Sequence, residues 1–263
     1  MQAVLFDLDG VLYQGGEAIA GAAETVDWFR QQGVPHLFLT NTSSRPRSAL
    51  VDKLGGFGIR ASEQDFLTPP AAACEWLKHH VDNAIALFVA EATQTEFSTF
   101  KISQNEDEAI DAVVIGDLGE AWDFATLNRA FRMLMNNPDA HLIALGMTRY
   151  WKTGSGLQLD AGPFVAALEY ATGRKAVVMG KPAEKFYQAA LVRLASEAKH
   201  SLMIGDDIFG DIQAAQRLGF HTVLVRTGKF SEHDLALGIQ PDAVIDSVAQ
   251  LPAYWQSISL VHG

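Results

Sequence analysis

Short, almost wholly apolar runs alternate along most of this chain with longer segments of helical period. Residues 3–6 and 36–40 read as buried strands, each closed by polar or glycine-containing sequence. Helices are expected over 20–32 and 46–54. A third short strand ends near Thr68-Pro69-Pro70, where prolines suit the opening of a helix reaching Trp76. The rhythm returns in the second half, with strands expected at 176–179, 201–204 and 222–225 and helices at 183–194 and 212–218. Between the halves lie strands at 84–89, 112–115 and 142–145 and helices at 124–135 and 164–171. Such alternation predicts an α/β fold, a parallel sheet with covering helices. On this reading the chain divides into a discontinuous domain, 1–69 with 176–263, and an inserted α/β domain, 70–175. Helix 124–135 sets Leu127, Ala130, Phe131 and Leu134 at helical spacing, which marks them as core of the insertion.

Composition narrows the classes. The chain has 263 residues, 48% of them hydrophobic and 19% charged, enough for sizeable cores and unlike a disordered chain. A net charge of −11 disfavours nucleic acid as a partner, because a phosphate backbone would be repelled. Cys74 is the only cysteine, which excludes an internal disulfide or a cysteine-rich metal site and fits a reducing, cytoplasmic setting. No basic leader opens the sequence and no apolar run approaches the roughly 18 residues of a spanning helix, so neither secretion nor membrane association is expected. The eight histidines show no metal-ligand spacing, and the adjacent His79 and His80 are expected at the surface.

Candidate chemistry gathers where strands end, because open parallel sheets bind ligands at the carboxyl ends of their strands. Four ends stand out: Asp7-Leu8-Asp9-Gly10, Thr40-Asn41-Thr42-Ser43, Gly180-Lys181-Pro182, and Gly205-Asp206-Asp207 with Asp211 following. Singly, these are ordinary turn and helix-cap residues. If adjacent strands bring Asp7, Asp9 and Asp206, and with them Asp211, into one crevice, repulsion would be severe without a cation, and hard oxygen ligands suit Mg²⁺. Carboxylates, Mg²⁺, a lysine and a hydroxyl–amide pair suit phosphoryl transfer. Lys181 and the Thr40 hydroxyl can hold the equatorial oxygens, and a carboxylate nucleophile would pass through an aspartyl-phosphate. A second carboxylate two residues along an extended chain lies on the same side and can protonate the leaving oxygen, then deprotonate water.

These four segments, in this order, resemble the four motifs of the haloacid dehalogenase (HAD) superfamily, and the α/β insertion between the second and third resembles the large cap of its type IIA branch. Gly162-Pro163-Phe164, Ala167-Leu168-Glu169-Tyr170-Ala171-Thr172, the run from Leu224 to Phe230 and Pro241-Asp242-Ala243 narrow the resemblance toward its phospholysine and inorganic pyrophosphate phosphatases, over essentially the whole chain. The resemblance implies a Rossmann-like core with an inserted cap, and a Mg²⁺-dependent phosphatase acting on a small phosphorylated metabolite. It makes Asp7 the nucleophile and Asp9 the general acid and base. Asp7, Asp206 and the Asp9 carbonyl would hold Mg²⁺. Thr40, the Asn41 backbone and Thr42 would face the phosphoryl group, Lys181 would bridge it to the nucleophile, and Asp207 and Asp211 would orient metal-bound water or Lys181. Many type IIA members carry a second Asn where this chain has Thr42. The phospholysine branch has Ser in place of the second acid, whereas Asp9 is kept here, which favours phosphomonoesters over phosphoramidates. Pyrophosphate remains open as a substrate, and so does a homodimer through a cap face. A phosphate-sensing scaffold and a phosphoryl transferase are the alternatives on the same fold.

Specificity is expected in the cap. Arg149-Tyr150-Trp151-Lys152 offers a cationic and aromatic surface for a leaving group; the competing reading is a hairpin with Tyr150 and Trp151 packed inward. Gly154-Ser155-Gly156 is expected to be only a turn, and Asn105-Glu106-Asp107-Glu108 a solvated loop.

Overall fold

The computed structural model describes residues 1–153 and 156–259. Its strands are β1 (Ala3–Asp7), β2 (Tyr13–Gln14), β3 (Glu17–Ala18), β4 (His36–Leu39), β5 (Phe66–Leu67), β6 (Ala84–Phe88), β7 (Ile110–Ile115), β8 (His141–Ala144), β9 (Tyr150–Thr153), β10 (Gly156–Leu159), β11 (Val177–Val178), β12 (Ser201–Gly205), β13 (His221–Val225) and β14 (Ala243–Ile245). The main helices are α1 (Ala22–Gln31), α2 (Arg47–Gly56), α3 (Pro69–Leu77), α4 (Glu91–Gln94), α5 (Phe124–Asn136), α6 (Ala161–Thr172), α7 (Glu184–Leu194), α8 (Ala214–Arg217) and α9 (Leu251–Ser259). Two compact units emerge: one of residues 1–40, 47–67 and 181–263, the other of 41–46 and 68–180.

The first unit carries a six-stranded sheet in the order β14-β13-β12-β1-β4-β5, with every neighbouring pair parallel. All five residues of β1 are buried, as a strand covered on both faces must be, which is why Ala-Val-Leu-Phe reads as an unbroken apolar run. The chain leaves β1 toward β4 and β5 on one side and toward β12, β13 and β14 on the other. The strand order therefore reverses between β1 and β12, and the crevice at their carboxyl ends is the topological switch point. Registers pair Phe6 with Ile204 and Asp7 with Leu39, so the residues after β1, β4 and β12 emerge side by side. Phe6, Phe29, Phe38, Phe66 and Trp255 form much of the core on one face of this sheet.

The second unit holds a parallel four-stranded sheet, β11-β8-β7-β6, and the antiparallel hairpin β9–β10. Its core joins Val113, Ile115 and Leu142 to Met133 and Leu134 of α5 and Val165 and Leu168 of α6, with Leu127 and Phe131 packed at the margin and Ala130 fully buried. The helical face anticipated over 124–135 is thus core.

Three expectations need correction. The strand at 176–179, grouped by its pattern with the second-half strands, is reduced to Val177–Val178 and pairs with β8 in the second unit's sheet. Helix α6 begins at Ala161 rather than 164: Asp160 accepts from the Ala161 amide at 2.6 Å, and Gly162 and Pro163 fit the first turn. The helix expected at 212–218 starts earlier, as a π-helical turn over Ile208–Gln213 that runs into α8. Asp207 caps it, its Oδ1 accepting from Phe209 N at 3.0 Å and Gly210 N at 2.8 Å. Gly154 and Ser155, expected to turn the hairpin, lie outside the described residues. In the acidic loop, Glu106 pairs with Arg132. Glu108 pairs with Lys101 and accepts from Ser103 Oγ at 2.6 Å, so the loop is anchored rather than merely solvated. His79 and His80 are exposed as expected, with the His80 ring stacked on Trp76.

Candidate active site

The carboxyl ends of β1 and β12 bring together a group of buried carboxylates. One oxygen from each of Asp7, Asp206 and Asp211 lies within 4.8 Å of the others, and all three residues are buried. Asp7 is the last residue of β1. Asp206 follows Gly205 at the end of β12, and Asp211 returns to the site from the π-helical turn. Gly205 has to be glycine, since a Cβ there would overlap the Asp211 side chain.

Lys181 Nζ sits between two of these acids, 2.7 Å from Asp7 Oδ1 and 2.6 Å from Asp211 Oδ1, with its side chain 7% exposed. Burial alone would lower the lysine, but the Asp211 and Asp7 carboxylates outweigh it and hold Lys181 well above its ordinary range. Two negative charges face this one positive charge, and the carboxylates answer accordingly. Burial, only partly offset by Lys181, raises Asp7 and carries Asp211 up to about 7. Burial is also the chief reason Asp206 rises to about 6, against the hydrogen bond it accepts from Lys229.

Asp206 supplies the test of whether a cation belongs here. Its Oδ2 accepts from Lys229 N at 2.7 Å, while its Oδ1 is buried with no hydrogen-bond partner. A buried carboxylate oxygen without a partner costs free energy. An orphan oxygen beside two further carboxylates, with hard donors throughout, fits a divalent ion of the Mg²⁺ type.

The remaining sequence candidates fall as follows. Thr40 directly follows β4 and is buried, its N–H donating to Leu67 O at 3.3 Å. Asn41 and Thr42 belong to the second unit, where Asn41 Oδ1 approaches Gly180; a Cβ on Gly180 would stand 3.1 Å from that oxygen and 2.7 Å from Leu145 O. Asp9 is exposed and outside the carboxylate group. Asp207 donates its backbone N–H to Asp211 Oδ2 at 3.3 Å, while its carboxylate takes the Lys229 ammonium at 3.1 Å. Burial opposes the ionised form of Asp207, but the Gly210 N–H and Lys229 more than compensate and hold it below the ordinary range. In the second unit Tyr150 and Trp151 are 51% and 46% exposed on the hairpin, which removes the inward-packed alternative. Arg149 lies over the Tyr150 ring and Lys152 is on β9.

Sequence reasoning assigned no role to Tyr187 or to residues 227–229. The buried Tyr187 hydroxyl donates to Gly210 O at 2.7 Å and so steadies the turn that carries Asp211. No local signal distinguishes it from a core aromatic. Residues 227–229 follow β13, and the same strand-end rule applied to that strand would have found them.

Comparison with known proteins gives the family. Residues 4–102 match the model of the haloacid dehalogenase-like hydrolases, and residues 178–251 a second HAD-hydrolase-like model. The human phospholysine phosphohistidine inorganic pyrophosphate phosphatase is 40% identical over 257 residues, covering 95% of this chain and 92% of its own. The mouse haloacid dehalogenase-like hydrolase domain-containing protein 2 is 37% identical, over 89% and 87% of the two chains. A solved p-nitrophenyl phosphatase from Archaeoglobus fulgidus superposes with a TM-score of 0.86 at 27% identity, over 95% and 97%. The chain belongs to the haloacid dehalogenase-like hydrolases. Within them it falls in the group of capped, type IIA phosphatases to which these relatives belong. Among the described residues no helix is long and apolar enough to cross a membrane.

Proposed function

We propose that the protein is a Mg²⁺-dependent phosphatase that hydrolyses small phosphate monoesters through an aspartyl-phosphate on Asp7. The observation that carries this reading is the Asp7–Lys181–Asp211 ion-pair chain beside the orphan oxygen of Asp206. Asp7, Asp206 and the Asp9 carbonyl would hold the ion, which when bound offsets repulsion between the attacking carboxylate and the anionic phosphate.

An Asp7 carboxylate oxygen attacks phosphorus as the ester P–O bond breaks. The Asp9 carboxyl, carried two residues along and open to solvent, gives its proton to the departing oxygen. Asp9 then takes a proton from water, whose oxygen attacks phosphorus and releases inorganic phosphate and free Asp7. Lys181 keeps the Asp7 carboxylate oriented through its 2.7 Å contact and presents positive charge to the transferring group. The Thr40 hydroxyl and the Asn41 amide are assigned to the phosphoryl oxygens, and Asp211 to holding Lys181. Choice of leaving group is assigned to the inserted domain, residues 70–175, with Arg149, Tyr150, Trp151 and Lys152 as its candidates. The human relative's name speaks of phospholysine, phosphohistidine and pyrophosphate. Asp9, an acid suited to an alkoxide leaving group, is the reason to place phosphomonoesters first here.

The test is release of phosphate from p-nitrophenyl phosphate with and without Mg²⁺, in the wild type and in Asp7→Asn. Turnover that needs the metal and disappears in the variant is expected. Metal-independent turnover, or activity retained by Asp7→Asn, would overturn the assignment.

A further inference from the structure

Asp206 enters the site with one oxygen held and the other free, and the residues that do the holding come from the loop after β13. Lys229 N donates to Oδ2 at 2.7 Å, while Oδ1 has no partner. Two glycines with left-handed backbones make that approach feasible, Gly10 at φ +85° and Gly228 at φ +69°. A Cβ on either would overlap Asp206 Oδ2. A Cβ on Gly10 would also stand 2.9 Å from Gly228 Cα, and one on Gly228 2.6 Å from Gly10 Cα. The Thr227 hydroxyl ties the two loops together by donating to the Gly10 carbonyl.

We infer that Thr227, Gly228 and the Lys229 amide form a positioning clamp that presets the Asp206 carboxylate for a divalent ion and locks it to the backbone beside Asp9. This rests on the reading of Asp206 as an ion ligand. A free carboxylate rotates about its last torsion and loses that freedom on binding. Fixing Oδ2 to a backbone N–H removes part of the loss beforehand and leaves the unpartnered Oδ1 for the ion. The Thr227 bond acts one step further out: it fixes Gly228 against Gly10 and, through them, the plane of the carboxylate.

The experiment is calorimetric titration of Mn²⁺ and Mg²⁺ into the metal-free full chain without substrate, comparing wild type with Thr227→Val, Thr227→Ser and Gly228→Ala. Thr227→Val keeps the side chain's shape and removes its donor. It should weaken ion binding about tenfold, the scale of lost support behind a metal ligand. Its melting temperature in EDTA should stay near the wild-type value. Thr227→Ser, which restores the donor, should bind within about twofold of wild type. Gly228→Ala should weaken binding further; if it does not fold, the threonine pair decides. Wild-type affinity in Thr227→Val overturns the clamp. So does an affinity loss shared equally by Thr227→Ser, which would mark a merely structural residue. A wild type that binds neither ion overturns the underlying reading instead, and the clamp with it.

Discussion

Lys181 is where the electrostatics of this molecule concentrate. Its ammonium is nearly inaccessible and shared by two carboxylates, and the proposed mechanism asks the same charge to face the transferring group. Lys181→Met keeps much of the stem while leaving Asp7 and Asp211 facing one another without a counter-charge. Activity on p-nitrophenyl phosphate should fall roughly a hundredfold, the usual scale for losing a group that stabilises developing charge. Breaking a buried pair typically costs about 3–5 kcal/mol, so urea unfolding at pH 8 should show a large loss as well. Retained turnover would contradict the role given to Lys181.

A second residue-scale prediction concerns His36, whose Nδ1–H donates to Val34 O at 3.2 Å while Nε2 is buried without a partner. Burial is the main cause that holds this imidazole below its ordinary range. A group depressed in the folded state contributes stability above its unfolded value, near 6.5, and loses it as pH falls toward the folded value. The wild type should therefore lose melting temperature relative to His36→Phe between pH 7.5 and 5; a constant difference would refute this. The grouping of Asp7, Lys181, Asp206 and Asp211 was legible in the sequence because each follows or answers an apolar run at a strand's carboxyl end. Tyr187 was not, because it acts on a backbone carbonyl brought near only by folding, whereas Thr227 lies just past the end of β13, where the same strand-end rule reaches it.

Among the elements, what the pattern could not settle was which sheet a strand joins. Residues 176–179 have the same apolar, β-branched character as the buried strands of the first unit, and nothing within four residues specifies a partner. The choice of β8 is made by long-range pairing. The start of α6, by contrast, was present locally in Asp160 and Pro163, and only the onset of apolar periodicity at Phe164 concealed it. Helix α5 ends under long-range control too. Arg174, 38 residues beyond its end, donates to Leu134 O at 2.6 Å, Asn137 O at 3.0 Å and Ala140 O at 2.6 Å, while Asn137 Nδ2 donates to Met133 O at 2.9 Å. A guanidinium that satisfies three carbonyls near a helix C-terminus combines charge-assisted hydrogen bonds with a favourable dipole interaction. Arg174→Ala should destabilise the protein by about 2 kcal/mol, with Arg174→Lys recovering only part because an ammonium lacks the planar fork. Equal stability of all three proteins in urea titrations would show that solvent serves these carbonyls as well.

At the scale of the whole molecule, the acid group that suits the site to chemistry should weigh against the fold when no cation is present. Asp206, pushed up to about 6 chiefly by burial, is a carboxylate the folded state prefers protonated. Its folded value lies above its unfolded one, so its contribution to stability is complete below the unfolded value near 4 and is lost as pH rises through 6. At pH 7.5 it is ionised and unfavourable. Asp206→Asn keeps an oxygen for the Lys229 amide, puts a neutral amide at the position of the orphan oxygen and removes one negative charge from a protein whose net charge is already −11. In EDTA the variant should melt above the wild type. Adding Mg²⁺ at a hundred times its dissociation constant should stabilise the wild type by about 2.7 kcal/mol through mass action alone, and the variant by much less, reversing the order. A wild type that melts above Asp206→Asn in EDTA would mean that the crowded carboxylates are already compensated by the protein, chiefly by Lys181, and that the site needs no cation to be stable.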